Sequence, residues 1–147
     1  MKKAKTSLTV SAKGIVNKLI SFVEVKNPFS NDVVKVNGIW DTGATRSVVT
    51  AKTANALGLI SVGQRKVRGV HGIKNVNVYL ATIRLSDTDI EITEQVTECD
   101  ELSNDGSVGA LIGMNVISTG DFAISNYRGR TKFTFRSPSI ANVDYTK

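Results

Sequence analysis

The sequence predicts a mostly β domain. Short runs of β-branched and apolar residues recur along the chain, punctuated by Gly and Asn. Helical signals are confined to one or two short segments. The 147 residues share one broad composition, 41% hydrophobic and 22% charged, which predicts one folded domain over 1–147.

The elements follow in chain order. Leu8 and Val10 alternate with Thr9 and Ser11, which reads as a strand within an N-terminal arm, 1–19. Leu19–Val25 is a second strand. Asn27-Pro28-Phe29-Ser30-Asn31-Asp32 is a loop, because Pro breaks a ladder and Asn favours turns. Val33–Trp40 is a third strand, with Asn37-Gly38 as a tight turn inside it. Thr50 is placed to cap a helix over Ala51–Leu57, and Gly58 to close it. Arg65–Val70 and Ile73–Leu80 flank His71-Gly72, the expected tip of a hairpin. Val76, Val78 and Leu80 alternate with Asn75, Asn77 and Tyr79, so one face is expected apolar and the other wet. Thr82–Leu85 and Ile90–Thr97 are further strands. Glu98–Gly109 reads as an acidic surface loop, Ala110–Ile112 as a buried strand ending at Gly113, and Met114–Ser118 as one or two helical turns. Asp121–Ser125 and Thr131–Arg136 form a closing hairpin, followed by a polar tail, 137–147.

Composition excludes several function classes. The chain has 19 basic and 13 acidic residues, a net charge of +6. The basic residues are scattered, apart from Lys2-Lys3-Lys5 and Arg65, Lys66 and Arg68, and only 6% of the chain is aromatic. A nucleic-acid surface interleaves basic and aromatic residues, so no specific nucleic-acid partner is expected. No apolar run approaches the ~18 residues that cross a bilayer, and Met1-Lys2-Lys3 precedes no apolar signal segment. A cytoplasmic protein without a membrane partner is expected. One cysteine, Cys99, and one histidine, His71, leave no disulfide framework and no multi-ligand zinc site.

The informative stretch is Ile39-Trp40-Asp41-Thr42-Gly43-Ala44-Thr45-Arg46-Ser47-Val48-Val49. An acidic residue leaves an apolar strand, enters a turn of small residues, and apolar residues resume at once. A carboxylate there needs hydrogen-bond donors or a shared proton. Gly43 allows close approach of another backbone, and Ala44 leaves room beside the carboxylate. For Asp-Thr-Gly alone, an Asx-type turn closing a strand is the commoner reading.

The wider context resembles the active-site segment of aspartic peptidases, and most closely the retropepsin-like, retroviral-type family in its bacterial single-domain form. Two more elements match in chain order. Gly69-Val70-His71-Gly72-Ile73 resembles the glycine-rich flap that closes over a bound peptide. Ala110-Leu111-Ile112-Gly113 resembles the apolar segment that threads beside the catalytic loop, with Met114-Asn115-Val116-Ile117 similar to the short helix after it. Thr50–Leu59 is similar to the helix and exit of many bacterial members. The likeness covers roughly 20–136. It implies a closed, single-lobed acid-protease β-barrel with one or two short helices and a β-hairpin flap. The pattern departs at Thr45 and Arg46, where retroviral enzymes often carry an acid, and at Met114, where they often carry Arg.

Peptide hydrolysis by carboxylates needs two of them around one water: an ionised one to take a proton and a protonated one to bond the carbonyl oxygen. The chain holds one Asp-Thr-Gly, since Ser118-Thr119-Gly120 lacks an acid at its head. A homodimer supplies the second Asp41. The resemblance then implies that Asp41 is catalytic. Thr42, Gly43 and Ala44 shape the loop, with Thr42 bracing it across the dimer axis. Gly69, Val70, His71, Gly72 and Ile73 form a substrate-binding flap. Leu111, Ile112 and Gly113 pack beside the loop. No metal or organic cofactor is called for. The expected activity is an aspartic endopeptidase acting on peptides or proteins. The alternative is a catalytically silent module that binds extended peptides or mediates dimerisation. Cys99, among carboxylates, reads as a spectator.

Overall fold

The computed structural model describes residues 2–147. The chain runs through β1 (Ser7–Ser11), β2 (Ile20–Lys26), β3 (Val33–Trp40), β4 (Val48–Thr50) and helix α1 (Ala51–Ala56). It continues through β5 (Ser61–Gly69), β6 (Gly72–Leu85), β7 (Glu91–Cys99), β8 (Val108–Ile112) and helix α2 (Met114–Ile117). β9 (Asp121–Ser125) and β10 (Lys132–Arg136) close it.

Strands β2, β3, β8, β4, β7 and β6 pair in that order, and β6 pairs back onto β2 from Val23↔Leu85 to Lys26↔Thr82. The result is the closed, mostly β barrel expected. Closure leaves its six strands no free edge over the paired stretch. Val23, Val25, Val49, Ala81, Ile83, Ala110 and Ile112 fill its interior.

The order has one consequence for the site. β3 and β4 are consecutive in sequence, yet β8 lies between them, parallel to β3 and antiparallel to β4. The 41–47 connection must therefore pass over the end of β8. β4 also pairs parallel to β7, Val49 opposite Glu98. Such parallel neighbours come from distant parts of the chain, because a tight turn joins only antiparallel strands.

A second, antiparallel sheet has the order β1-β10-β9. Phe133 and Phe135 of β10 alternate with exposed Lys132 and Thr134 and turn inward. They meet Trp40, which stacks on Phe122 of β9 at 5.3 Å. This aromatic cluster joins the two sheets. Beyond β10, the 137–147 segment is tied down at Asp121. Its carboxylate accepts from the Ile140 N–H at 2.9 Å, from the Ser139 hydroxyl and from Arg136 Nε at 2.7 Å. These donors, the Ile140 N–H foremost, hold the Asp121 carboxyl well below the usual carboxylate range.

Helix α1 starts as expected: Thr50 Oγ1 accepts from the Thr53 N–H at 3.2 Å, and Gly58 takes φ +59° just past the end. Four other readings change. Asn37-Gly38 does not turn the chain. An Asn-Gly turn needs flanks that pair with each other, and here both flanks pair with β2 and β8, with a register shift at that point. A Cβ on Gly38 would lie 3.1 Å from Val23 of the neighbouring strand β2. Ile73–Leu80 and Thr82–Leu85 are one strand, β6, because its outer half pairs with β5 and its inner half with β2. Tyr79, expected on the wet face, is buried against the core, with its hydroxyl on Glu98. The acidic loop is shorter than 98–109, since Glu98 and Cys99 complete β7, and Val108 and Gly109 begin β8.

Candidate active site

Asp41 extends the β3–β8 ladder by one bond, its N–H donating to Ile112 O at 2.9 Å. The chain then turns. Asp41 Oδ1 accepts from the Gly43 N–H at 2.8 Å, and the Ala44 N–H reaches Asp41 O at 3.2 Å. The Asx-type turn is thus present, and it aims a half-buried carboxylate from a loop whose Thr42 and Gly43 are exposed. A Cβ on Gly43 would lie 3.2 Å from Oδ1.

The loop crosses β8 at Gly113. A Cβ there would lie 2.5 Å from Arg46 O and 2.9 Å from Ala44 O, closer than any real contact. Only glycine lets the two backbones pass. The loop carbonyls then serve α2: Met114 N–H donates to Ala44 O at 2.7 Å and Asn115 N–H to Thr45 O at 3.1 Å. Helix starts leave such N–H groups without partners inside the helix. Thus Asp41, Thr42, Gly43 and Ala44 are brought together with Ile112 and Gly113.

The sequence reading passed over two residues of this crossing. Ser47 is fully buried; its hydroxyl donates to Asn115 Oδ1 at 2.8 Å and accepts from the Gly113 N–H at 3.0 Å. Together with the backbone bonds, it ties the loop to the start of the helix at Met114 and Asn115. A small polar residue opening an apolar run, paired with a lone Asn in an apolar helix, was the only signal. Ser47→Ala strands the buried Gly113 N–H and the Asn115 amide. We expect a loss of about 1–3 kcal/mol, read as a melting temperature lower by roughly 3–10 °C. A melt within 1 °C of wild type would refute this bracing.

The hairpin β5–β6 projects from the barrel. Gly69 pairs with Gly72, so the turn residues are Val70 and His71, one position earlier than expected. The positive φ, +111°, falls on Gly72 and takes up the twist. Val70 is 99% exposed, and His71 and Ile73 are exposed. Among the described residues, no hydrogen bond joins 69–73 to 41–44. The hairpin instead overhangs the end of β7, where Lys74 Nζ meets Asp100 Oδ2 at 3.2 Å. Cys99 lies half-buried there. Burial first, then the Asp100 and Glu98 carboxylates, push its thiol up to about 11, so it stays protonated at neutral pH. Among the described residues, no group of three or more His, Cys, Asp or Glu could hold a metal. Among the described residues, no helix is long and apolar enough to cross a membrane.

The profile of the aspartyl protease family matches residues 23–116, from β2 through α2, with both crossing segments inside it. The chain belongs to the aspartyl protease family. Its fold is that of the retropepsin-like members. A retropepsin-like aspartic protease from Rickettsia conorii superposes with a TM-score of 0.55 at 13% identity, covering 93% of this chain and 98% of the other. The EIAV protease, in complex with the inhibitor HBY-793, superposes with a TM-score of 0.51 at 18% identity, covering 69% of this chain and 86% of that one. A search of curated protein sequences gave no match. Within this family fold, the crossing of the 41–47 loop over β8 is a place where a carboxylate is both braced and open to solvent.

Proposed function

We propose that the protein is an aspartic endopeptidase that works as a homodimer, each copy contributing one Asp41. The observation that carries this reading is the Asp41 carboxylate itself. One oxygen is fixed by the Gly43 N–H at 2.8 Å, and among the described residues the other has no hydrogen-bond partner. A carboxylate held at an exposed turn, with one oxygen left for water, is half of a two-carboxylate machine. The single Asp-Thr-Gly per chain assigns the other half to a second copy.

Two carboxylates about 3 Å apart do not both ionise, so they share one proton. The ionised Asp41 takes a proton from the water between them. The protonated Asp41 hydrogen-bonds the scissile carbonyl oxygen, and the water attacks the carbon. The tetrahedral intermediate collapses when the nitrogen gains a proton and the C–N bond breaks. Thr42, exposed beside Asp41, braces the two loops across the axis. Gly69–Ile73 closes over the peptide as the flap, with Gly72 permitting its turn.

The test joins a cleavage assay on a mixed peptide library, from acid to neutral pH, to sedimentation at micromolar protein. Cleavage by a species of twice the 15.8 kDa chain mass is expected. A dimer that cleaves nothing across that range, or a cleaving monomer, would overturn the proposal.

A further inference from the structure

Beneath the β5–β6 hairpin lies a cleft of about 510 Å³. Val67, Val70, Ile73 and Val76 give it apolar walls, and Glu98 and Asp100 lie at its β7 side. The two carboxylates differ. Asp100 is matched by Lys74 at 3.2 Å. Glu98 has no cationic partner within ion-pair distance among the described residues. It is held instead by neutral donors: Tyr79 Oη donates to Oε1 at 2.8 Å and Asn77 Nδ2 to Oε2 at 3.3 Å. Tyr79 is 5% exposed, so this donor is rigid, and burial keeps its hydroxyl protonated.

A half-buried carboxylate without a counter-charge, beside aliphatic walls, fits one kind of guest. That guest is an aliphatic stem ending in a cation, which buries its methylenes and brings its head to the carboxylate. The other charged groups do not compete. Lys74, which lines the cleft as well, is paired with Asp100, the Cys99 thiol is neutral, and Arg65, Lys66 and Arg68 of β5 lie outside the cleft. His71, at the turn, is the remaining titratable group on the rim.

Register places Glu98 one strand over from the chain that leaves the candidate active site. Glu98 pairs with Val49 of β4, the strand into which the Asp41 loop runs, and Val48 of β4 also pairs with Leu111, one residue before Ile112. A peptide that ran from the Asp41 loop to the underside of the hairpin would enter the cleft. We propose that the cleft is a subsite for a Lys or Arg side chain of the substrate, with Glu98 as its specificity-determining carboxylate. This inference rests on the peptidase reading for its substrate, and its test is chosen to separate the two.

The probe is a set of dye-labelled octapeptides, identical except for Lys, norleucine or Glu at one scanned position. Binding to the Asp41→Asn protein is read by anisotropy, which needs no turnover. At one position, Lys should bind about tenfold or more tighter than norleucine, as a charge-assisted bond implies. In Asp41→Asn/Glu98→Gln the ratio should fall to near one, with norleucine binding unchanged. Glu98→Asp should keep part of the preference. A ratio near one at every position, or a ratio that survives Glu98→Gln, overturns the subsite. If the double variant fails to fold, the ratio in Asp41→Asn alone, and its decline with added salt, decides the matter. A Lys preference in binding, with no cleavage by wild type, removes the peptidase reading and leaves the subsite standing. Cleavage indifferent to Lys removes the subsite alone.

Discussion

Asp41→Asn is expected to lower peptide cleavage on the order of 10²–10⁴-fold, toward the upper end, while the melting temperature stays within a few degrees of wild type. The side chains have the same shape. The Asn carbonyl oxygen can still accept from the Gly43 N–H, the bond that fixes the turn at 2.8 Å. The backbone bond from Asp41 N–H to Ile112 O is untouched. What disappears is the ability to take and return a proton. In a homodimer both copies change at once, so no intact carboxylate remains to act alone. The check is kcat on a cleaved library peptide, with a thermal melt and sedimentation on the same preparation. Purified variant with wild-type turnover would show that the chemistry lies elsewhere. A variant that loses activity only because it melts or dissociates would assign Asp41 a structural role.

The parts of this molecule legible in the sequence are those governed by local rules. Thr50 and Gly58 bracket α1 because capping is local to one turn. Asp41, Gly43 and Gly113 could be marked because their short motifs, in that order, resemble a family in which these two segments lie side by side. What escaped depended on partners far along the chain. Asn37-Gly38 carries a turn signature, yet its neighbours are claimed by β2 and β8, so the strand continues. Tyr79 sits in an alternating run that predicts a wet face, but it pairs opposite Val96 and is buried, with its hydroxyl spent on Glu98. Ser47 carries only a faint local mark, a small polar residue opening an apolar run. Its role exists only because the closing of the barrel brings Gly113 and Asn115 to it. The β1–β10 pairing, Leu8 opposite Phe135, likewise joins opposite ends of the sequence.

Trp40→Ala is expected to cost about 3–5 kcal/mol, the range for emptying an aromatic site in a core. Against a total stability of roughly 5–15 kcal/mol for a domain, that removes a large share. The melting temperature should fall by roughly 10–20 °C. Trp40 is 5% exposed and packs on three rings: Phe122 at 5.3 Å, Phe135 at 5.2 Å and Phe133 at 5.8 Å. Its indole N–H donates to Ser21 Oγ at 2.9 Å. Its backbone N–H bonds Leu19 O. Removing the ring leaves a void where the barrel meets the β1-β10-β9 sheet. Trp40→Phe separates the contributions. It keeps most of the stacking area and loses the indole bond, so a cost near 1–1.5 kcal/mol is expected. If Trp40→Ala melted within about 3 °C of wild type, the cluster would not be what joins the two sheets. The position adds a functional consequence. Trp40 is the last residue of β3 and pairs with Ile112, so it holds the chain at the point where Asp41 leaves the strand. Loosening it should therefore lower turnover even below the melting transition, whereas a core void away from this cluster, such as Ile83→Ala opposite Val25, should lower stability with less effect on turnover of the folded fraction. Equal losses of turnover in both variants would mean that Trp40 contributes to the site through global stability alone.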